Sequence, residues 1–118
     1  MAKNPRESLN DLQEGLAALG KADSERMQAF GGFIQAALKP GALDLKTKEL
    51  ISLGISLYTF CEYCIVHHTN GALNAGATRE ELIETAFVAA SMGGGPVVAY
   101  SATLLKDAIN TFAPDYGK

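Results

Sequence analysis

Positive charge, cysteine and histidine are all scarce in this chain. Its 118 residues carry 10 Lys and Arg against 13 Asp and Glu, with only 2 Cys and 2 His. A formal net charge of -3 leaves no basic stripe to meet phosphates, which argues against a nucleic-acid partner. Two cysteines are too few to staple a secreted scaffold. Residues 1–16 show neither an apolar signal core nor a cleavage pattern, so a cytoplasmic location is expected. Charged residues make up 19% of the chain, below the roughly 25% usual in soluble proteins. The 47% hydrophobic content nevertheless excludes intrinsic disorder, and the length fits one domain spanning residues 1–118. One absence is local: no charged side chain occurs between Thr85 and Leu105. Such a stretch is long enough to cross a bilayer. Gly93, Gly94, Gly95 and Pro96 interrupt it, however, and Thr85, Ser91, Ser101 and Thr103 dilute it, so two buried helices are expected and no membrane association. The three glycines are read as a helix break, since no P-loop Lys-Ser/Thr follows them.

What is present is helical periodicity. Leu9, Leu12, Leu16 and Leu19 form one apolar stripe, predicting a first helix from about Pro5 to Leu19, ended by Gly20. A second spans about Asp23 to Leu38, with Met27, Phe30, Ile34 and Leu38 inward, before Lys39-Pro40-Gly41 breaks it. Asp44 caps a third, from Leu45 to about Thr59. A tight junction at residues 60–62 leads to a fourth carrying Cys64 through Ala75. Thr78 and Glu81 have the spacing of a capping box and open a fifth, to about Met92. Pro96 starts the last helix and Pro114 ends it. The β-branched run from Ile51 to Thr59 also suits a strand, but nothing offers it a pairing partner. The fold class predicted is all-α, a six-helix bundle.

Both cysteines and both histidines fall in Phe60-Cys61-Glu62-Tyr63-Cys64-Ile65-Val66-His67-His68. At about 100° per residue, Cys61, Cys64 and His68 share one helix face, and Cys64 and His68 form an i,i+4 pair. His67 points about a third of a turn away. Cys61 lies at the helix N-terminus, where the macrodipole favours a thiolate. Thiol redox chemistry needs a nucleophilic thiolate, a base and a resolving cysteine, and all three are present. A zinc site is the second candidate, but Cys61 and His68 stand about 10 Å apart along a helix axis, against ligand distances of about 2.0–2.3 Å. A third reading has the cysteines merely pack. Haem attachment fails because Ile65 occupies the histidine position of C-x-x-C-H. No metal and no cofactor are therefore expected. Upstream, Glu49 sits in an unusually apolar segment; it either pairs with Lys46 and Lys48 at the surface or orients an imidazole.

Glu49, eleven intervening residues, Cys61-x-x-Cys64, three residues and His68 together resemble the E-x11-C-x-x-C-x-x-x-H signature of the AhpD-like alkylhydroperoxidase family, within the carboxymuconolactone decarboxylase superfamily. The similarity covers about residues 25–110, including the Gly-Gly-Gly-Pro break, and makes the helix at about 5–19 an extension of the core. The resemblance implies an all-helical AhpD-like bundle with the C-x-x-C motif at the start of a central helix, assembled as a trimer or hexamer. It also implies an antioxidant peroxidase cycle. In that cycle Cys64 attacks the peroxide, Cys61 resolves the sulfenic acid to a disulfide, and Glu49 and His68 relay the proton. A dithiol, or a thioredoxin- or lipoyl-type protein, would restore the thiols.

Two points qualify the likeness. Well-studied peroxidase members carry histidine just before the second cysteine, where this chain has Tyr63; a phenol of pKa near 10 cannot act as a neutral-pH base. The helix dipole, taken alone, favours Cys61 over Cys64 as the thiolate. The alternatives are a carboxymuconolactone decarboxylase-like lyase and a metal-binding oligomer. The lyase reading is weakened because true decarboxylases of the superfamily lack the paired cysteines and because no basic residue stands near the motif.

Overall fold

The structure, a computed structural model, describes residues 3–118, and among these only helices and turns occur. α1 covers Pro5–Ala22, α2 Ser24–Leu38, α3 Leu45–Tyr58, α4 Glu62–Asn74 and α5 Arg79–Gly93. The sixth helix comes in pieces: α6 at Gly95–Tyr100, a π-helical turn at Ser101–Leu105, and α7 at Lys106–Phe112. A 3-10 turn at Ala113–Tyr116 follows, containing Pro114. This is the expected all-α architecture, with the C-x-x-C motif opening a central helix.

Local chemistry sets most of the boundaries. Asn4, Asp23, Asp44 and Thr78 each accept a backbone N–H of the first turn they precede. The capping box is complete, since Glu81 also accepts the Thr78 N–H. Gly94 closes α5 at φ 69°, a left-handed value that suits glycine and lets the chain restart at once as α6. Gly20, however, does not end α1. The helix continues to Ala22, because Asp23 supplies both the last backbone bond of α1, to the Leu19 carbonyl, and the N-cap of α2. The break thus falls where a cap exists. Within α1, Gly20 instead leaves room for Met27 of α2, whose Cγ would lie 3.4 Å from a β-carbon there.

α4 lies at the centre and packs on α1, α3 and α7, while α5 covers the other side of α3. The core is formed by Leu53 and Leu57 of α3, Ile65, Val66 and Leu73 of α4, Leu82 of α5, Val97 of α6, and Phe112 of α7. Each of these large side chains contributes roughly 1.5–3 kcal/mol by leaving water. The C-terminus locks onto the same helix: Tyr116 donates to Asn70 Oδ1, and Lys118 Nζ donates to the carbonyls of Leu73 and Ala77.

One expectation is corrected. α2 buries no residue: Phe30 and Ile34 of its expected inner face are exposed, and Met27 and Leu38 are half-buried. Leu16 and Leu19 of α1 are exposed too. The reason is placement, because α2 packs chiefly on α1 and only lightly on α3, which reaches its C-terminal end. Lys48 fastens that end, donating to the carbonyls of Ala37 and Lys39 where α2 terminates.

Candidate active site

The junction between α3 and α4 prepares the site. Thr59 ends α3, Phe60 adopts φ 56°, and Cys61 begins the next helix as its N-cap. The Cys61 N–H donates to Ser56 O and the Phe60 N–H to Leu57 O, the bond pair that closes a helix through a left-handed residue. Phe60 fills the position that glycine usually takes, at a cost of order 1–2 kcal/mol. Its ring packs on Tyr100 with centroids 5.2 Å apart, which helps to hold the turn. The reversal is tight enough to lay α4 back along α3.

Cys61 and Cys64 are joined by a disulfide, with their α-carbons 5.2 Å apart. Both are half-buried. Cys61 Sγ accepts the Cys64 N–H at 3.3 Å, so the helix N-terminus is directed at that sulfur. One turn beyond Cys64, His68 turns its ring towards α3. There its Nδ1 lies 2.9 Å from Glu49 Oε2. Glu49 is buried at 7% exposure, so a surface pairing with Lys46 or Lys48 is not its role. Lys46 instead pairs with Glu81, and Lys48 holds the end of α2.

A carboxylate can only accept, so the bond to Glu49 fixes the proton of a neutral His68 on Nδ1 and leaves Nε2 with a free lone pair. The structure thus ties the four residues singled out in the sequence into two bonded pairs, Cys61 with Cys64 and Glu49 with His68. Cys64 and His68 stand on successive turns of α4. His67 packs edge-on to His68, with ring centroids 4.9 Å apart. Partial desolvation, and then the neighbouring His68, hold the His67 imidazole below its usual pKa, while Glu49 opposes them.

Two features of the site escaped the sequence reading. Phe60 falls in the expected junction at residues 60–62, but an aromatic residue carries no sequence signal of a left-handed backbone. Gly71 left a faint one: a glycine inside a helix costs about 1 kcal/mol relative to alanine and so hints at a close approach. Tyr63, the departure from the resembled signature, is exposed beside the disulfide. Among the described residues, no three His, Cys, Asp or Glu side chains are grouped to hold a metal ion.

A small all-helical protein with a C-x-x-C disulfide opening its central helix, and a buried carboxylate–imidazole pair one turn on, is the class these features define. The sequence profile of the Carboxymuconolactone decarboxylase family matches residues 24–107, and the chain belongs to that family. A protein of Cupriavidus necator is 36% identical over 112 residues, covering 93% of this chain and 99% of its own. A crystal structure of a carboxymuconolactone decarboxylase family protein from Legionella pneumophila superposes with a TM-score of 0.88 at 40% identity, covering 92% of this chain and 96% of that one. Another, from Thermotoga maritima, gives 0.74 at 25% identity over 92% and 95% of the two chains; it is described as a candidate for involvement in the antioxidative response. No helix among the described residues is long and apolar enough to cross a membrane.

Proposed function

We propose that the protein is a thiol peroxidase that cycles Cys61 and Cys64 between dithiol and disulfide. The observation that carries this reading is the disulfide one helical turn from an imidazole whose tautomer a buried carboxylate fixes. In the dithiol form, His68 Nε2 takes the proton of Cys64. The thiolate attacks the terminal peroxide oxygen and breaks the O–O bond, leaving a sulfenic acid on Cys64 and releasing an alcohol, which receives its proton from His68. Cys61 then displaces water from the sulfenic acid to form the disulfide. An external dithiol, free or carried on a protein, returns the pair to thiols and leaves as its own disulfide. The antioxidative description of the Thermotoga relative supports the same direction.

The hydrogen bond from the Cys64 N–H to Cys61 Sγ gives that sulfur the better-stabilised anion. This suits Cys61 as the leaving thiolate when the external dithiol attacks Cys64. The two sulfurs thereby have complementary parts: a base serves the one that attacks peroxide, and the helix serves the one that departs. Peroxide consumption with a dithiol reductant tests the cycle. Cys64→Ser should abolish it. Cys61→Ser should stop turnover yet leave a sulfenic acid on Cys64 that a dimedone probe traps. Wild-type turnover that survives Cys64→Ser would overturn the reading.

We also propose that the chain works as a trimer or hexamer. Its accessible surface is 7014 Å², against about 6,200 Å² for a compact monomer of this mass. Large apolar side chains of α2 and α5 stand in the open on this surface: Phe33 and Phe87 are each 67% exposed and Met92 is 79% exposed.

A further inference from the structure

The glycine at position 71 lies where the Glu49 carboxylate meets α4. A β-carbon built there would stand 3.0 Å from Glu49 Cδ and closer still to Oε2, the oxygen bonded to His68. Real β-carbons almost never approach that closely, so with any other residue the carboxylate must move. What would move is the far end of a flexible side chain, not a backbone. The fold can therefore absorb a methyl group at position 71, whereas the Glu49–His68 bond cannot.

We infer that Gly71 is a positioning residue for the proton relay: the bare backbone of α4 at this point is the seat of the Glu49 carboxylate, and it holds that carboxylate on His68 Nδ1. This deepens the proposed peroxidase function and rests on it for its catalytic consequence, but not for its geometric one. The position explains how a carboxylate on α3 reaches an imidazole on α4 while both are shielded. Gly71 is three residues beyond His68, so it lies on the neighbouring turn of the same face, beside the imidazole. A side chain there would occupy the space the carboxylate needs. It also accounts for a glycine kept inside α4, where alanine would favour the helix.

Gly71→Ala separates this role from a structural one, with two readouts on the full-length protein. The first is kcat for peroxide consumption at saturating dithiol. The second is the ring 15N spectrum of His68 at neutral pH in the disulfide form, which reports the Nδ1–H tautomer without any turnover. The expected result is a fall in kcat of tenfold or more, a melting temperature equal to or above the wild type, and loss of the pure Nδ1–H signature. In a Glu49→Gln background, the same alanine should change kcat by less than twofold, because the group it displaces no longer carries the charge. Retention of both the Nδ1–H signature and more than half of kcat in Gly71→Ala would overturn the inference. So would a full additional tenfold loss in the Glu49→Gln background, which would mark a general effect on packing. If the wild type consumes no peroxide, the proposed function fails, and the tautomer signature alone decides the part assigned to Gly71.

Discussion

Replacing Glu49 with Gln keeps the shape of a buried side chain and removes its charge. In the wild type the carboxylate accepts from His68 Nδ1 at 2.9 Å and so dictates which ring nitrogen is free. An amide can turn either way. With its oxygen towards His68 the working tautomer survives, but the imidazolium formed during turnover loses its counter-charge. With its NH2 group towards His68, the proton moves to Nε2 and the base is blocked. A positioned general base is worth about 10²–10⁴ in rate, or about 3–5 kcal/mol at 1.36 kcal/mol per decade. Because one amide orientation still permits catalysis, the loss expected is at the lower end, about 100-fold in kcat/KM with KM for peroxide little changed. Stability should respond differently. Burying the carboxylate carries a desolvation cost that offsets much of what its hydrogen bond to His68 gains, so a neutral replacement of the same shape shifts the melting temperature by less than about 5 °C, or about 1 kcal/mol in a chain of this size. The assay is initial-rate peroxide consumption over a range of peroxide concentrations with excess dithiol, paired with thermal melts. A variant with more than a third of the wild-type kcat/KM would refute the relay. A variant that loses activity and more than 10 °C of stability together would show Glu49 to be a scaffold residue.

Two further outcomes are expected. Hydrogen bonds from Arg26, Thr47 and Lys46, respectively, lower the carboxyl pKa of Asp23, Asp44 and Glu81 below their ordinary values of 3.8, 3.8 and 4.5. The unfolded chain therefore takes up these protons first, so their stabilisation is present above about pH 4.5 and is lost as pH falls through the lowered values; melting temperature should hold between pH 7 and 5 and decline below about 4.5, and a flat profile to pH 3 would exclude this origin. Light scattering on the purified protein should give three or six times the 12.5 kDa chain mass, with Phe33→Glu or Phe87→Glu lowering it; a 12.5 kDa wild-type species at micromolar concentration would exclude the assembly.

Where the sequence spoke clearly, a short-range interaction lay behind it. Asp44 and the Thr78–Glu81 box start their helices because a side-chain oxygen and a backbone N–H only three residues apart must meet. Cys61, Cys64 and His68 share a face for the same reason, since helix geometry alone brings them together. The end of α1 was misplaced by two or three residues because two local signals competed there. A glycine says stop, but Asp23 offers the better bonds, and the helix ran on to the cap. The π-helical turn at Ser101–Leu105 has no counterpart in the apolar pattern, because an extra residue in a helix leaves the spacing on either side looking regular.

Long-range placement was legible only where composition made one outcome costly to avoid. Glu49 stood among Leu50, Ile51, Leu53 and Ile55, and a carboxylate in such company must find a partner or stay at the surface. Only the fold could decide, by bringing α4 back along α3 and presenting His68 opposite it. The inner face assigned to α2 shows the converse. Period 3.6 identifies Met27, Phe30, Ile34 and Leu38 as one stripe, yet periodicity says only that the stripe wants cover, not which surface provides it. In the single chain Phe30 is 57% exposed and Phe33 is 67% exposed. Across α3 and α5, Ile51, Ile55, Val88 and Met92 line an apolar groove of about 530 Å³ that is similarly open. An amphipathic helix without a floor and a groove without a lid, on one small chain, are the surfaces that the proposed assembly of copies would cover.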